Sequence, residues 1–280
     1  MHFTKMHGAG NDYIYIDARR MDKDWQALSI AMSDRHTGIG ADGLILAMES
    51  NTANFRMRMF NADGSEGDMC GNGIRCLVSF AFNNGVISTD TSPVVVETMS
   101  GDLEVVPKWD GAEVVWARVG MGEPSVAVED IPVAVENQSM LMDHPLCVEG
   151  TTFMINTVSI GNPHAVAFID TPVDDVELDK IGPLVEHHPL FPKRINFEIV
   201  NVIDDNHVKA RVWERGSGLT EACGTGACAI GVIGRLKRHT KSDLTVSLPG
   251  GDLIVQWPGH GQVFLEGPVA KVFEGDWPEN

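Results

Sequence analysis

Residues 69–76 read MCGNGIRC and residues 222–229 read ACGTGACA. In both, a cysteine precedes Gly-x-Gly and an apolar run with the look of a helix, IRCLVSFAFNNG (74–85) or ACAIGVIGRLKRH (227–239). Cys70 and Cys223 stand 153 residues apart. Working outward, FRMRMFNADGSEGD (55–68) parallels VKARVWERGSGLTE (208–221). Phe60 and Trp213 each lie ten residues before their cysteine, and Asn61 and Glu214 nine before. Downstream, SGDLEVV (100–106) matches GGDLIVQ (250–256). Upstream, GNDYIYID (10–17) matches GNPHAVAFID (161–170), which sets Asn11 against Asn162. Landmarks that keep their order at offsets of 150–153 residues mark an internal duplication.

Each half reads alike. A strand that starts at Gly-Asn is followed by a helical stretch (25–36; 178–188), a strand (44–49; 197–203) and the strand that leads to the cysteine. Further strands at 93–99, 103–107, 244–248 and 253–257 close the halves. Many strands with few helices predict an α+β fold of two homologous domains, each a curled mixed or antiparallel sheet around a central helix. The first domain is expected over 1–118 and the second over 119–267, joined at the Gly- and Pro-rich 119–126. The strand-like tail at 268–280 lies beyond the second repeat and is expected to return to the first domain.

Composition narrows the class. A length of 280 residues suits two domains, and a net charge of −18 argues against nucleic acid or an anionic membrane as partner. The first residues carry no apolar signal core, and no window approaches 18 apolar residues, so a soluble cytoplasmic protein is expected. Five cysteines, an odd number, point to free thiols.

Two glycine-flanked thiols at helix starts suit one chemistry. Backbone N–H groups and the helix dipole favour both a bound carboxylate and a thiolate. Inverting an amino-acid α-carbon needs one group on each face, one thiolate and one thiol, and amide donors for the charge that develops on the carboxylate. Alternatives carry less. The spacings of Cys70 to Cys76 and of Cys223 to Cys228 do not match zinc hooks, and Cys76 and Cys228 fall inside the apolar helices, so no metal is expected. GIGADG (38–43) follows a helix and precedes a strand, the reverse of a dinucleotide fingerprint. Asn11, Asn61, Asn162 and Glu214 recur at paired places, and Arg215 beside Glu214 is a candidate carboxylate clamp. Arg75 is left to the helix or the surface.

Taken together, MHGAGNDYIYID, MRMFNADGSEGDMCGNGIRC, GNPHAVAFID, ERGSGLTEACGTGACA and VAKVFEGDW resemble the diaminopimelate epimerase family along nearly the whole chain. The resemblance implies two similar domains with the active site between them. It also implies interconversion of LL- and meso-diaminopimelate, on the route to lysine and peptidoglycan, without pyridoxal phosphate, metal or other cofactor. It makes Cys70 and Cys223 the acid/base pair, and Gly71, Asn72, Gly224 and Thr225 backbone donors to the reacting carboxylate. Asn11, Asn61, Asn162, Asn196, Glu214 and Arg215 would grip the distal amino-acid end. His164 and Glu214 would help set thiol protonation, and a homodimer is possible.

Two positions depart from the pattern: Gly43, where some members carry a glutamine that touches substrate, and Leu219, where a glutamate is usual. The nearest rival, the proline racemase and hydroxyproline epimerase group, usually has His in place of Asn72. A binder or redox sensor without catalysis would not need matched loops.

Overall fold

The computed structural model describes residues 1–135 and 138–278. The chain forms two compact units, Met1–Gly120 with Glu266–Asn280, and Met121–Leu265.

The first unit contains β1 (His2–Gly8), β2 (Asn11–Asp17), α1 (Trp25–Ser33), β3 (Gly43–Met48), β4 (Phe55–Asn61), β5 (Glu66–Gly67), α2 (Gly71–Asn83), β6 (Val94–Thr98), β7 (Gly101–Asp110) and β8 (Glu113–Gly120). β2 runs parallel to β3, with Tyr13 opposite Gly43, and β3 antiparallel to β4, with Gly43 opposite Asn61. β4 then pairs in parallel with β6. α2 is apolar nearly all round, with Ile74, Leu77, Val78, Phe80 and Ala81 buried, so it lies inside the sheet, packed on β1, β2, β3, β7 and β8. α1 is a surface helix. Asp24 caps it by accepting from the Ala27 N–H at 3.0 Å, and Trp25, Ser29 and Met32 face inward.

The second unit repeats this order. It holds β9 (His144–Val148), β10 (Thr151–Ser159), β11 (Pro163–Phe168), α3 (Leu178–Glu186), β12 (Asn196–Asp204), β13 (His207–Glu214), β14 (Gly218–Leu219), α4 (Gly224–Leu236), β15 (Asp243–Leu248) and β16 (Gly251–Gln256). β11 is parallel to β12, with His164 opposite Asn196; β12 is antiparallel to β13, and β13 parallel to β15. α4 is the buried central helix here, packed on β10, β11, β12, β15 and β16. The chain leaves through β17 (Phe264–Pro268), and β18 (Ala270–Asp276) pairs antiparallel with β1, His2 opposite Asp276.

The matched registers make Gly43 the counterpart of Asn196, Tyr13 that of His164, Ile45 that of Glu198, and Asn61 that of Glu214. The helix limits differ from the sequence reading. Both central helices start three residues earlier, at the first glycine of the motif, and end at Asn83 and Leu236. These glycines are helical, with no positive φ. Close packing explains the second of each pair. A Cβ on Gly73 would lie 2.4 Å from Ile45 Cδ1, and one on Gly226 would lie 3.0 Å from Glu198 Oε1.

Candidate functional site

Cys70 and Cys223 are the N-cap residues of α2 and α4. Each sits in extended backbone, and each sulfur accepts from the N–H three residues on, Gly73 or Gly226, at 3.3 Å. A helix start leaves several N–H groups without helical partners, and here a thiol takes one of them. Gly71, Asn72, Gly224 and Thr225 supply the first turns beside the sulfurs. Cys76 and Cys228 lie buried within the helices; burial pushes the Cys76 thiol up to about 11, so it packs and does not react.

In the first unit, the Cys70 thiol donates to Asn11 Oδ1 at 3.3 Å. Asn11 presents that oxygen because its amide nitrogen donates to Asp42 Oδ2 at 2.7 Å. Asp42 is in turn held by Arg35 at 2.9 Å, and Arg35 also meets Asp12 at 2.8 Å. Lys5, buried, completes the cluster at 2.7 Å from Asp12. Burial raises the Asp42 carboxyl, and the neighbouring Asp12 adds to this. Asn72 is buried; its Nδ2 reaches Asn11 Oδ1 at 3.4 Å and its Oδ1 accepts from Arg75 at 2.9 Å. Arg75 is fully buried, and donates also to the Gly71 carbonyl at 3.0 Å. It therefore serves the helix and not the surface. Asn61 ends β4, exposed, with Nδ2 on Ser65 Oγ at 2.9 Å.

In the second unit, Cys223 is 4 % exposed. Its thiol is pushed well above its ordinary value, first by burial and then by the charges of Glu214 and Glu198. Thr225 Oγ1 lies 3.5 Å from the sulfur, and Asn162 Nδ2 donates to that hydroxyl at 3.3 Å. Asn162 Oδ1 meets His164 Nε2 at 2.9 Å, and His164 Nδ1 meets Glu198 Oε1 at 2.7 Å. Glu214 hydrogen-bonds the Cys223 thiol and accepts from Thr220 Oγ1 at 2.5 Å; burial outweighs both bonds and raises its carboxyl. Asn196 is 3 % exposed, and its groups are engaged with the protein: Nδ2 donates to the Pro163 carbonyl at 2.8 Å, and Oδ1 accepts from the Arg215 N–H at 2.9 Å. It holds the backbone of Arg215, whose side chain is exposed. Leu219, in β14, is 42 % exposed; nothing in the structure explains its departure from the family pattern.

The structure thus gathers Asn11, Asn72 and Cys70 around one helix start, and Asn162, His164, Glu214, Thr225 and Cys223 around the other. Two members were missed in sequence. Tyr13 is buried beside Cys70 and Asn11, its hydroxyl pushed well up by burial and then by Cys70. Glu198 is fully buried beside His164. Both sit inside apolar strand runs, where a lone polar residue is easily read as a surface position. The repeat register could have exposed Glu198, since its counterpart is Ile45.

Several solved structures share this architecture. A probable proline racemase from Agrobacterium radiobacter matches with a TM-score of 0.71 at 11 % identity, over 100 % of this chain and 93 % of that one. A hydroxyproline epimerase from Agrobacterium vitis matches at 0.68 and 14 % identity, over 98 % and 90 %. A PhzF-family protein from Enterococcus faecalis matches at 0.69 and 12 %, over 98 % and 97 %. The fold is therefore the duplicated one that these racemases, epimerases and PhzF-type proteins have in common.

Sequence narrows this further. The diaminopimelate epimerase of Acetivibrio thermocellus is 48 % identical over 280 residues, 99 % of this chain and 98 % of the relative. That of Methanococcus maripaludis strain C5 is 46 % identical over 278 residues, 99 % of each. A family model described as diaminopimelate epimerase matches residues 3–127 and 156–272. The chain belongs to the diaminopimelate epimerase family and is an enzyme of the isomerase class. Among the described residues, no helix is long and apolar enough to cross a membrane.

Proposed function

We propose that this enzyme epimerises LL-diaminopimelate to meso-diaminopimelate by a two-base transfer at the α-carbon, with Cys70 and Cys223 as the bases and no cofactor. The observation that carries the reading is the equivalence of the two thiols: each caps the central helix of its unit, at the same place in a repeated sheet order. One sulfur, as thiolate, takes the α-hydrogen as a proton, and the C–H electron pair moves toward the carboxylate. The other, as thiol, delivers its proton to the opposite face and becomes the thiolate. Proton count and charge are conserved, and the reverse direction exchanges the roles.

The N–H groups of Gly71, Asn72, Gly224 and Thr225 hold the carboxylate where charge develops. Asn11, Asn61, Asn162, Glu214 and Arg215 recognise the distal amino-acid end, with Asn196 setting Arg215. Each compact unit is one epimerase half, and β18 completes the first. A homodimer and a cytoplasmic location belong to the same reading; light scattering of the purified protein checks the first.

The direct test uses reduced protein and LL-diaminopimelate in D₂O with nothing else added. The meso isomer should form and carry solvent deuterium at the inverted carbon. Absence of isomerisation by reduced, folded protein overturns the proposal. The fold likeness to proline-specific enzymes gives a second reading, so proline and hydroxyproline are assayed alongside; turnover of these instead would select it.

Glu214 adds a pH dependence. To receive the Cys223 proton it must be a carboxylate, and burial raises its carboxyl above the ordinary 4.5. A raised acid fills with protons as pH falls through its own value, so kcat/KM should already decline at a pH above 4.5. Glu214→Gln should lower the rate and remove that acid limb. An unchanged limb in the variant assigns it to another group.

A further inference from the structure

The two halves differ at one buried pair of positions. Where the first unit has Tyr13 and Ile45, the second has His164 and Glu198, both 0 % exposed. A buried carboxylate is costly, and an isoleucine fills the same register position in the sister unit without it. Glu198 Oε2 has no hydrogen-bond partner among the described residues, so the carboxyl is not there to complete a saturated network. Its one partner is His164 Nδ1 at 2.7 Å.

We infer that Glu198 is a positioning residue that, through His164, Asn162 and Thr225, orients the hydrogen bonds at the Cys223 sulfur. His164 Nε2 faces an amide oxygen, Asn162 Oδ1, at 2.9 Å, so Nε2 must carry hydrogen. That holds whenever the His164–Glu198 pair keeps its shared proton, whether as imidazolium with carboxylate or as imidazole with carboxylic acid. Burial, which raises the Glu198 carboxyl, favours keeping it.

With its oxygen engaged, Asn162 turns its nitrogen to Thr225 Oγ1, at 3.3 Å. The Thr225 hydroxyl then accepts from Asn162, and its own hydrogen is directed to Cys223, at 3.5 Å. The sulfur receives this O–H together with the Gly226 N–H at 3.3 Å, and its own proton points to Glu214. The charged and titratable groups around the sulfur are therefore His164 on β11, Glu198 on β12 and Glu214 on β13. In the first unit the anchor is opposite in kind. Asp42 only accepts, so Asn11 offers Cys70 an acceptor oxygen. The duplicated asparagines thus face their cysteines with opposite polarity, donor-directed at Cys223 and acceptor at Cys70.

The inference rests on the proposed role of Cys223, yet its test does not need turnover. Peptide-resolved alkylation by iodoacetamide at fixed pH, in the full chain, reads each thiolate separately. Thr225→Val should slow Cys223 labelling about tenfold, the effect of one lost donor on a thiolate, and leave Cys70 unchanged. In a Glu198→Gln background the same Thr225→Val change should slow Cys223 by threefold or less, because the hydroxyl is no longer held toward the sulfur. Comparing the Thr225 effect between backgrounds cancels the direct influence of the Glu198 charge. Glu198→Ile, which copies Ile45, serves as the background if the glutamine variant does not fold. No slowing by Thr225→Val alone overturns the relay, and equal slowing in both backgrounds overturns the part given to Glu198. If the relay holds while LL-diaminopimelate is not epimerised, the functional reading fails and the positioning role stands.

Discussion

Alanine at Cys70, or at Cys223, is expected to cut epimerisation by at least about 10²–10⁴-fold, the range that a positioned acid or base supplies. The two losses should be of similar size, because in the proposed mechanism every turnover uses both sulfurs, one to take a proton and one to return it. The structural cost should be small. Each cap sulfur holds one helix-start N–H, at 3.3 Å, and an alanine cap weakens a helix by only about 1 kcal/mol. Coupled assays of meso product, with circular dichroism as the control for folding, check both variants. Wild-type turnover by either folded single variant would rule out the two-base mechanism.

Gly43→Gln is expected to destabilise the first unit, at the upper end of the roughly 1–3 kcal/mol seen when side chains are forced into packed positions. The family resemblance alone presents Gly43 as a place where a substrate contact is lost or replaced. A Cβ at Gly43 would lie 2.1 Å from the Phe60 carbonyl oxygen and 3.2 Å from Asn61 Cα, both on the facing strand. Backbone cannot rotate away as the end of a side chain can, so β3 and β4 would have to separate. That would disturb Ile45, on which Gly73 packs, and with it the start of α2. Thermal unfolding should show a lowered Tm, and the Cys70 half of the site should suffer with it. A variant as stable as wild type would mean that the strand pair opens there at little cost.

Much of this molecule was legible as pattern. The paired cysteine motifs, the aromatic residues ten positions before them and the matching strand runs revealed the duplication, because a repeat leaves side chains at fixed intervals however it is folded. The apolar character of 74–82 and 227–234 on every side marked central helices, since a helix without a polar face has to be enclosed. The first turn was not legible. Gly-x-Gly reads as a loop because glycine lowers helix propensity, but helix-to-strand packing at Gly73 and Gly226 overrides that preference. Glu198 and Tyr13 were hidden for a related reason: periodicity shows which face of a strand a residue occupies and not what it touches on the neighbouring strand.

By itself the sequence determined that there are two halves, that each carries a thiol at a helix start, and that the family is that of the diaminopimelate epimerases. All of these are recorded in spacing and residue type. Only the tertiary structure decided that the two asparagines turn their amides differently, Asn11 offering its oxygen to Cys70 and Asn162 its nitrogen to Thr225. Asp42 accepts and His164 donates, and these partners come from 31 residues away in one unit and 2 in the other. Hydrogen-bond direction depends on where donors and acceptors converge in space, and two residues of the same type at matched places in a repeat can be turned opposite ways by what stands behind them.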